Sequence, residues 1–188
     1  MDIELFFRIF DLAGTLVFAI SGAIAAIKKR LDIYGIFILA IVTALGGGMI
    51  RDVLLGRTPP LVFTDGSYLA IACLGAVLAA AGHKVVERFQ QPLTLMDAIG
   101  LGIFTVIGAK VSLAMGGSWY AAVMLGVVTG TGGGMLRDVL SKEVPLVLQR
   151  EVYAVASMAG AAMYIARVEL PMPWGRLPAG VGAIVAAG

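Results

Sequence analysis

Apolar runs that hold no charged residue recur along the chain, at Leu12 to Ile27, Ile33 to Ile50, Gly66 to Gly82, Val111 to Leu136 and Val152 to Ala166. Most approach the ~17 to 25 residues that a helix needs to cross a bilayer. The pattern predicts spanning helices near 5–27, 33–56, 67–83, 94–113, 118–141 and 151–167. Beyond them, Pro171, Pro173 and Trp174 precede an uncharged stretch from Leu177 to Gly188, which predicts a short seventh helix. From Trp174 that helix would reach only about 22 Å at 1.5 Å per residue. Either it tucks in short or the chain has been cut.

The runs come in two copies. GGGMIRDVL at 46–54 and GGGMLRDVL at 132–140 agree at eight of nine positions and start 86 residues apart. The same shift carries Asp11 onto Asp97, Gly14 onto Gly100, Phe18 onto Phe104, Gly22 onto Gly108 and Pro59 onto Pro145. After a one-residue slip Tyr68 falls on Tyr153 and Gly75 on Gly160. The units are therefore 1–86 and 87–170, with 171–188 as the seventh helix. Three crossings leave the chain on the opposite face, so the second unit must enter inverted. The expected fold class is an all-α membrane protein of two inverted three-helix repeats plus a short seventh helix. Inverted repeats are a transport architecture whose working site lies near the bilayer midplane.

Composition agrees. The chain is 60% hydrophobic and 14% charged, against about 25% charged in soluble domains. Its first residues, Met1, Asp2, Ile3 and Glu4, are acidic where a cleavable signal would be basic, so the first span is expected to stay. The lone Cys73 rules out an internal disulfide. A net charge of +2 and a pI near 8.8 do not point to nucleic acid, because the basic residues sit in short loops. Lys28, Lys29, Arg30, Lys84, Arg88, Lys142 and Arg150 fall on one side, and Arg8, Arg57, Arg167 and Arg176 on the other. The basic side is expected to be cytoplasmic, which puts the N-terminus outside a cell (inner) membrane.

Glycine in a helix interior costs roughly 1 kcal/mol relative to alanine, and the chain carries Gly46, Gly47, Gly48 and Gly132, Gly133, Gly134. Such triplets can unwind a helix and turn bare carbonyls toward a passing cation. Bare backbone at membrane depth is tolerated where it is buried in protein or lines water. Close packing is the alternative. After each triplet comes an ion pair, Arg51 with Asp52 and Arg137 with Asp138. Charges at such depth are paired or face water. They line the path, or each arginine pins a half-helix as a salt bridge or cap, with the carboxylate of the other repeat as one partner within reach; one arrangement could do both.

Thr43 and Thr129 precede the triplets by one turn and either face an ion or bond back to their own helix. Phe18 and Phe104 could narrow a pore or simply pack. Lys110 breaks the repeat symmetry, since its counterpart is Ile24; it either snorkels to the interface or acts as a gating charge. Trp119, Tyr120, Tyr34, Tyr68 and Tyr153 sit at span ends, as an interfacial belt would. His83 has no Cys or carboxylate cluster around it for a metal site. No catalytic set or nucleotide motif appears, so neither an enzyme nor a cofactor is expected.

The twin GGGxxRD motifs in inverted units of three spans resemble a bacterial or archaeal member of the trimeric intracellular cation (TRIC) channels, whose broader bacterial group also carries a glycine-transporter label. The resemblance covers almost the entire chain. It implies a homotrimer in the lipid bilayer, an ion path inside each protomer, and monovalent cations, chiefly potassium, as the permeant ions. It also implies second and fifth helices kinked at Gly46–Gly48 and Gly132–Gly134, and a gating charge on the fourth span that only Lys110 fits. The alternative function is secondary transport of a small zwitterion such as glycine, which the inverted repeat supports equally. A non-transporting helical bundle is the third. Gly126 and Gly130 form a GxxxG that would permit a close helix contact.

Overall fold

The structure, a computed structural model, describes residues 3–82, 92–149 and 151–169. Within them the chain is helical: α1 (Ile3–Lys28), α2 (Ile33–Leu54), α3 (Leu61–Thr64), α4 (Ser67–Ala81), α5 (Pro92–Ala114), α6 (Trp119–Leu140), α7 (Leu146–Gln149) and α8 (Glu151–Glu169). Four of these, α1, α2, α5 and α6, are long and apolar enough to cross a membrane. The expected seventh helix at 171–188 and His83 lie outside the described residues.

The duplication is written into the helix ends. Asp32 caps the start of α2 by accepting from the Gly35 N–H, and Ser118, 86 positions on, caps α6 by accepting from the Ala121 N–H. The long helices end alike: the residue two past each helix bonds back three positions and the next bonds back five, the Schellman pattern. Its left-handed position falls on Arg30 (φ 57°), Gly56 (φ 71°), Gly116 (φ 82°) and Lys142 (φ 57°). The shift of 86 pairs Arg30 with Gly116 and Gly56 with Lys142, so each repeat has glycine at one of these ends and a side chain at the other. An L-residue in this conformation is strained by roughly 1 to 2 kcal/mol. Arg30→Gly and Lys142→Gly should therefore each stabilise the protein by about 1 kcal/mol. Melting in detergent checks this, with Gly56→Ala expected to lower the melting temperature.

The repeats are inverted in space. A Cβ on Gly14 would lie 2.8 Å from Ile103 and 2.9 Å from Phe104, while one on Gly100 would lie 2.4 Å from Phe18. Ser21, further along α1, bonds Asp97, further back on α5. Rising positions on α1 thus meet falling positions on α5. These helices occupy equivalent places in the two repeats, and they run antiparallel.

Within each repeat the first two helices touch at an equivalent glycine. A Cβ on Gly22 would lie 2.5 Å from the Leu39 carbonyl, and one on Gly108 would lie 2.8 Å from the Leu125 carbonyl. Small residues, Ala19, Ala23, Ala40, Ala44, Ala72 and Ala76, fill the core of the first repeat around Phe18. Membrane helices associate through such close packing. Gly126 and Gly130 are used the same way within the chain: added Cβ atoms would lie 2.8 Å from the Thr105 carbonyl and 2.5 Å from the Thr105 hydroxyl.

Candidate ion pathway

The two glycine triplets meet at the centre of the molecule. Neither helix is broken there, because α2 and α6 are α-helical without interruption from Ile33 to Leu54 and from Trp119 to Leu140. The expectation of unwound helices with bare carbonyls is therefore corrected. The missing side chains let two intact helices cross. A Cβ on Gly47 would lie 2.2 Å from the Thr129 carbonyl oxygen, and one on Gly133 would lie 2.1 Å from that of Thr43. The contact is reciprocal, as a two-fold relation between repeats requires. Packing outweighs the glycine penalty because no other residue lets the backbones come so near. Gly46 and Gly132 flank the crossing against Leu136 and Ile50, whereas Gly48 and Gly134 have open room around them.

Thr43 Oγ1 donates to the Leu39 carbonyl at 2.6 Å, and Thr129 Oγ1 donates to the Leu125 carbonyl. Phe18 and Phe104 are buried and stack edge-on, with centroids 5.1 Å apart. Two cavities approach this centre. One is lined by Asp11, Thr15, Gly48, Arg51, Tyr68 and Phe104, and the other by Asp97, Leu101, Gly134, Arg137, Asp138 and Phe18. They are repeat equivalents. Each ends on the phenylalanine supplied by the opposite repeat.

The Arg–Asp pairs pin the walls of these cavities. Arg51 Nε donates to Asp52 Oδ1 at 2.9 Å, and Asp52 Oδ2 accepts from the Leu61 N–H, which opens α3. Arg137 Nε donates to Asp138 Oδ1 at 2.8 Å, and Asp138 Oδ2 accepts from the Leu146 N–H, which opens α7. All four residues are buried. Each arginine pairs with the carboxylate adjacent in its own helix, and among the described residues neither reaches a carboxylate of the other repeat. Arg137 does cross to the first repeat, where Nη1 donates to the Ser21 hydroxyl, and it pairs with Asp97 of its own repeat.

Asp97, Asp11, Ser21 and Tyr68 also belong to the site, a role that nothing in the sequence assigned to them. Ser21 Oγ donates to Asp97 Oδ1 at 2.7 Å, and the Tyr68 hydroxyl donates to Asp11 Oδ2 at 2.6 Å. Tyr68 is thus buried at 7% exposure and is no part of an interfacial belt, whereas Tyr34, Trp119 and Tyr120 are all more than half exposed. The readable signal was a pair of carboxylates at matched positions inside apolar spans, a placement that is expensive and usually functional. Lys110 lines neither cavity: its Nζ sits 3.7 Å over the Phe7 ring and 4.0 Å from the Glu4 carboxylate. Among the described residues no group of three or more His, Cys, Asp or Glu is placed to hold a metal ion.

A duplicated, inverted helical bundle with buried charges at its centre defines a polytopic membrane protein of the transport class. Residues 8–84 and 94–168 match the family described as Glycine transporter, and the chain belongs to that family. It is 45% identical over 153 residues to a UPF0126 membrane protein of Deinococcus radiodurans, covering 80% of this chain and 71% of that one. It is 39% identical over 155 residues to the UPF0126 inner membrane protein YadS of Escherichia coli K12, covering 82% and 75%. Its fold matches the solved TRIC trimeric intracellular cation channel orthologue from Rhodobacter sphaeroides with a TM-score of 0.87 and 36% identity, over 96% of this chain and 92% of that one. A structure solved to explain conductance through TRIC cation channels matches with a TM-score of 0.81 and 37% identity, over 96% and 88%. In keeping with the expectation of no enzyme, these solved neighbours are channels.

Proposed function

We propose that the protein is a monovalent cation channel, conducting chiefly potassium, with one path inside each protomer of a homotrimer. The observation that carries this reading is the pair of repeat-related cavities converging on Phe18, Phe104 and the glycine crossing. The second is lined by Asp97 and Asp138 against Arg137, and the first by Asp11 and Arg51, with the Arg51 charge already neutralised by Asp52 beside it. A net negative wall attracts cations and repels anions. The likeness to solved cation channels supports the same class.

The path runs from the Asp11 cavity past Thr129 and the phenylalanine pair to the Asp97 cavity. It opens where the crossing at Gly47 and Gly133 loosens. With α4 and α8 counted as short spans the chain crosses six times, in units 1–86 and 87–170, with the N-terminus and the Asp11 cavity on the outer side. Purified protein in planar bilayers should carry current whose reversal potential, under mixed potassium, sodium and chloride gradients, follows potassium. A chloride-following potential or silence at all voltages would overturn the reading. Counterflow of labelled glycine into proteoliposomes without potassium flux would support a transporter instead, the activity the family's description carries.

A further inference from the structure

The two cavities are built alike and furnished differently. In the second, Asp97 Oδ1 receives both the Arg137 guanidinium and the Ser21 hydroxyl, so a cationic group and a hydroxyl already occupy that carboxylate. In the first, the equivalent carboxylate is Asp11. Arg51 lines the same cavity but gives its Nε and Nη2 to Asp52, at 2.9 and 2.7 Å. The repeat counterpart of Ser21 is Ile107, which has no donor to offer. The Asp11 carboxylate accepts, on its Oδ2, from the neutral Tyr68 hydroxyl.

We infer that Asp11 is a monovalent-cation binding site at the entrance of the path, with the ion taking beside its carboxylate the place that the Arg137 guanidinium takes beside Asp97. The inference rests on the channel reading and adds to it a residue and a side. The second half of the molecule is the internal comparison, since it shows a cation seated on the equivalent carboxylate. Ser21, beside Asp97, lies ten positions beyond Asp11 on α1, about 15 Å along the axis at 1.5 Å per residue. The two carboxylates therefore stand on either side of the helix middle. The Tyr68 hydroxyl positions the Asp11 carboxylate, and Asp11 lines the cavity together with Thr15, Arg51 and Tyr68.

Single-channel conductance of the wild type and Asp11→Asn, measured in low and high KCl, tests the site. A mouth charge matters most where screening is weak, so Asp11→Asn should cut conductance about three-fold near 0.01 M salt and little near 1 M. Asp11→Glu should restore it. A wild type that conducts while Asp11→Asn conducts equally at low salt overturns the site and leaves the channel reading standing. Melting in KCl against N-methylglucamine chloride reads the site independently of current. A potassium-dependent rise seen in the wild type and absent in Asp11→Asn supports it even if no current flows, and equal rises in both overturn it.

Discussion

Alanine at Gly47 is expected to cost about 3 kcal/mol or more, the upper range for overpacking a close-packed interior. The added methyl would stand 2.2 Å from the Thr129 carbonyl oxygen and 3.3 Å from the Gly133 nitrogen. Both are backbone atoms in the middle of a helix, with no rotamer to escape into. The only relief is for α2 and α6 to part by an ångström or more, which also strains the Phe18–Phe104 contact beneath the crossing. Gly133→Ala should do the same through the Thr43 carbonyl, 2.1 Å away.

Alanine at Gly48 separates this effect from helix propensity. There the nearest atom to a new Cβ is the Arg51 guanidinium at 3.7 Å, and at Gly134 it is that of Arg137 at 3.8 Å. These substitutions should be neutral or stabilising by up to about 1 kcal/mol, the propensity gain of alanine over glycine. Melting of the four variants in detergent checks the contrast. Equal losses at Gly47 and Gly48 would show that the triplet matters as a flexible segment and not as a crossing point.

The spans were legible because charge-free runs of this length have few other uses, and the internal repeat fixed their boundaries to within a few residues. The four-residue helices α3 and α7 were not. They follow Pro60 and Pro145 and are held by side chains eight or nine positions back, Asp52 on the Leu61 N–H and Asp138 on the Leu146 N–H. Local propensity carries no trace of that. The glycine triplets were recognised and their use misread. Propensity alone says that three glycines weaken a helix; the tertiary crossing instead exploits the absent side chains and keeps the helix whole. Asp11 and Asp97 were aligned by the repeat but given no role, because the partners of Asp97 come from 40 positions ahead and 76 behind. Pairing across helices of that separation becomes readable only once α1 and α5 are known to run antiparallel.

Replacing Arg137 with methionine should destabilise the protein by roughly 3 to 5 kcal/mol, the usual penalty when one partner leaves a buried ion pair. Its side chain is 1% exposed and touches three helices at once: Ser21 on α1, Asp97 on α5 and Asp138 on its own α6. Without it two carboxylates, each no more than 10% exposed, lose their counter-charge. Arg51→Met should cost less, since Arg51 holds the carboxylate next to it in α2 and, among the described residues, bonds to no second helix. The penalty arises from the stranded charges rather than from lost attraction, so adding Asp97→Asn to Arg137→Met should recover part of it. A double-mutant cycle from melting in detergent measures that coupling. A single variant that loses less than about 1 kcal/mol, or a double variant no more stable than the single, would mean that water or another cation already serves these carboxylates. Asp97 would then be as open to ions as Asp11, and the two ends of the path would be electrically alike.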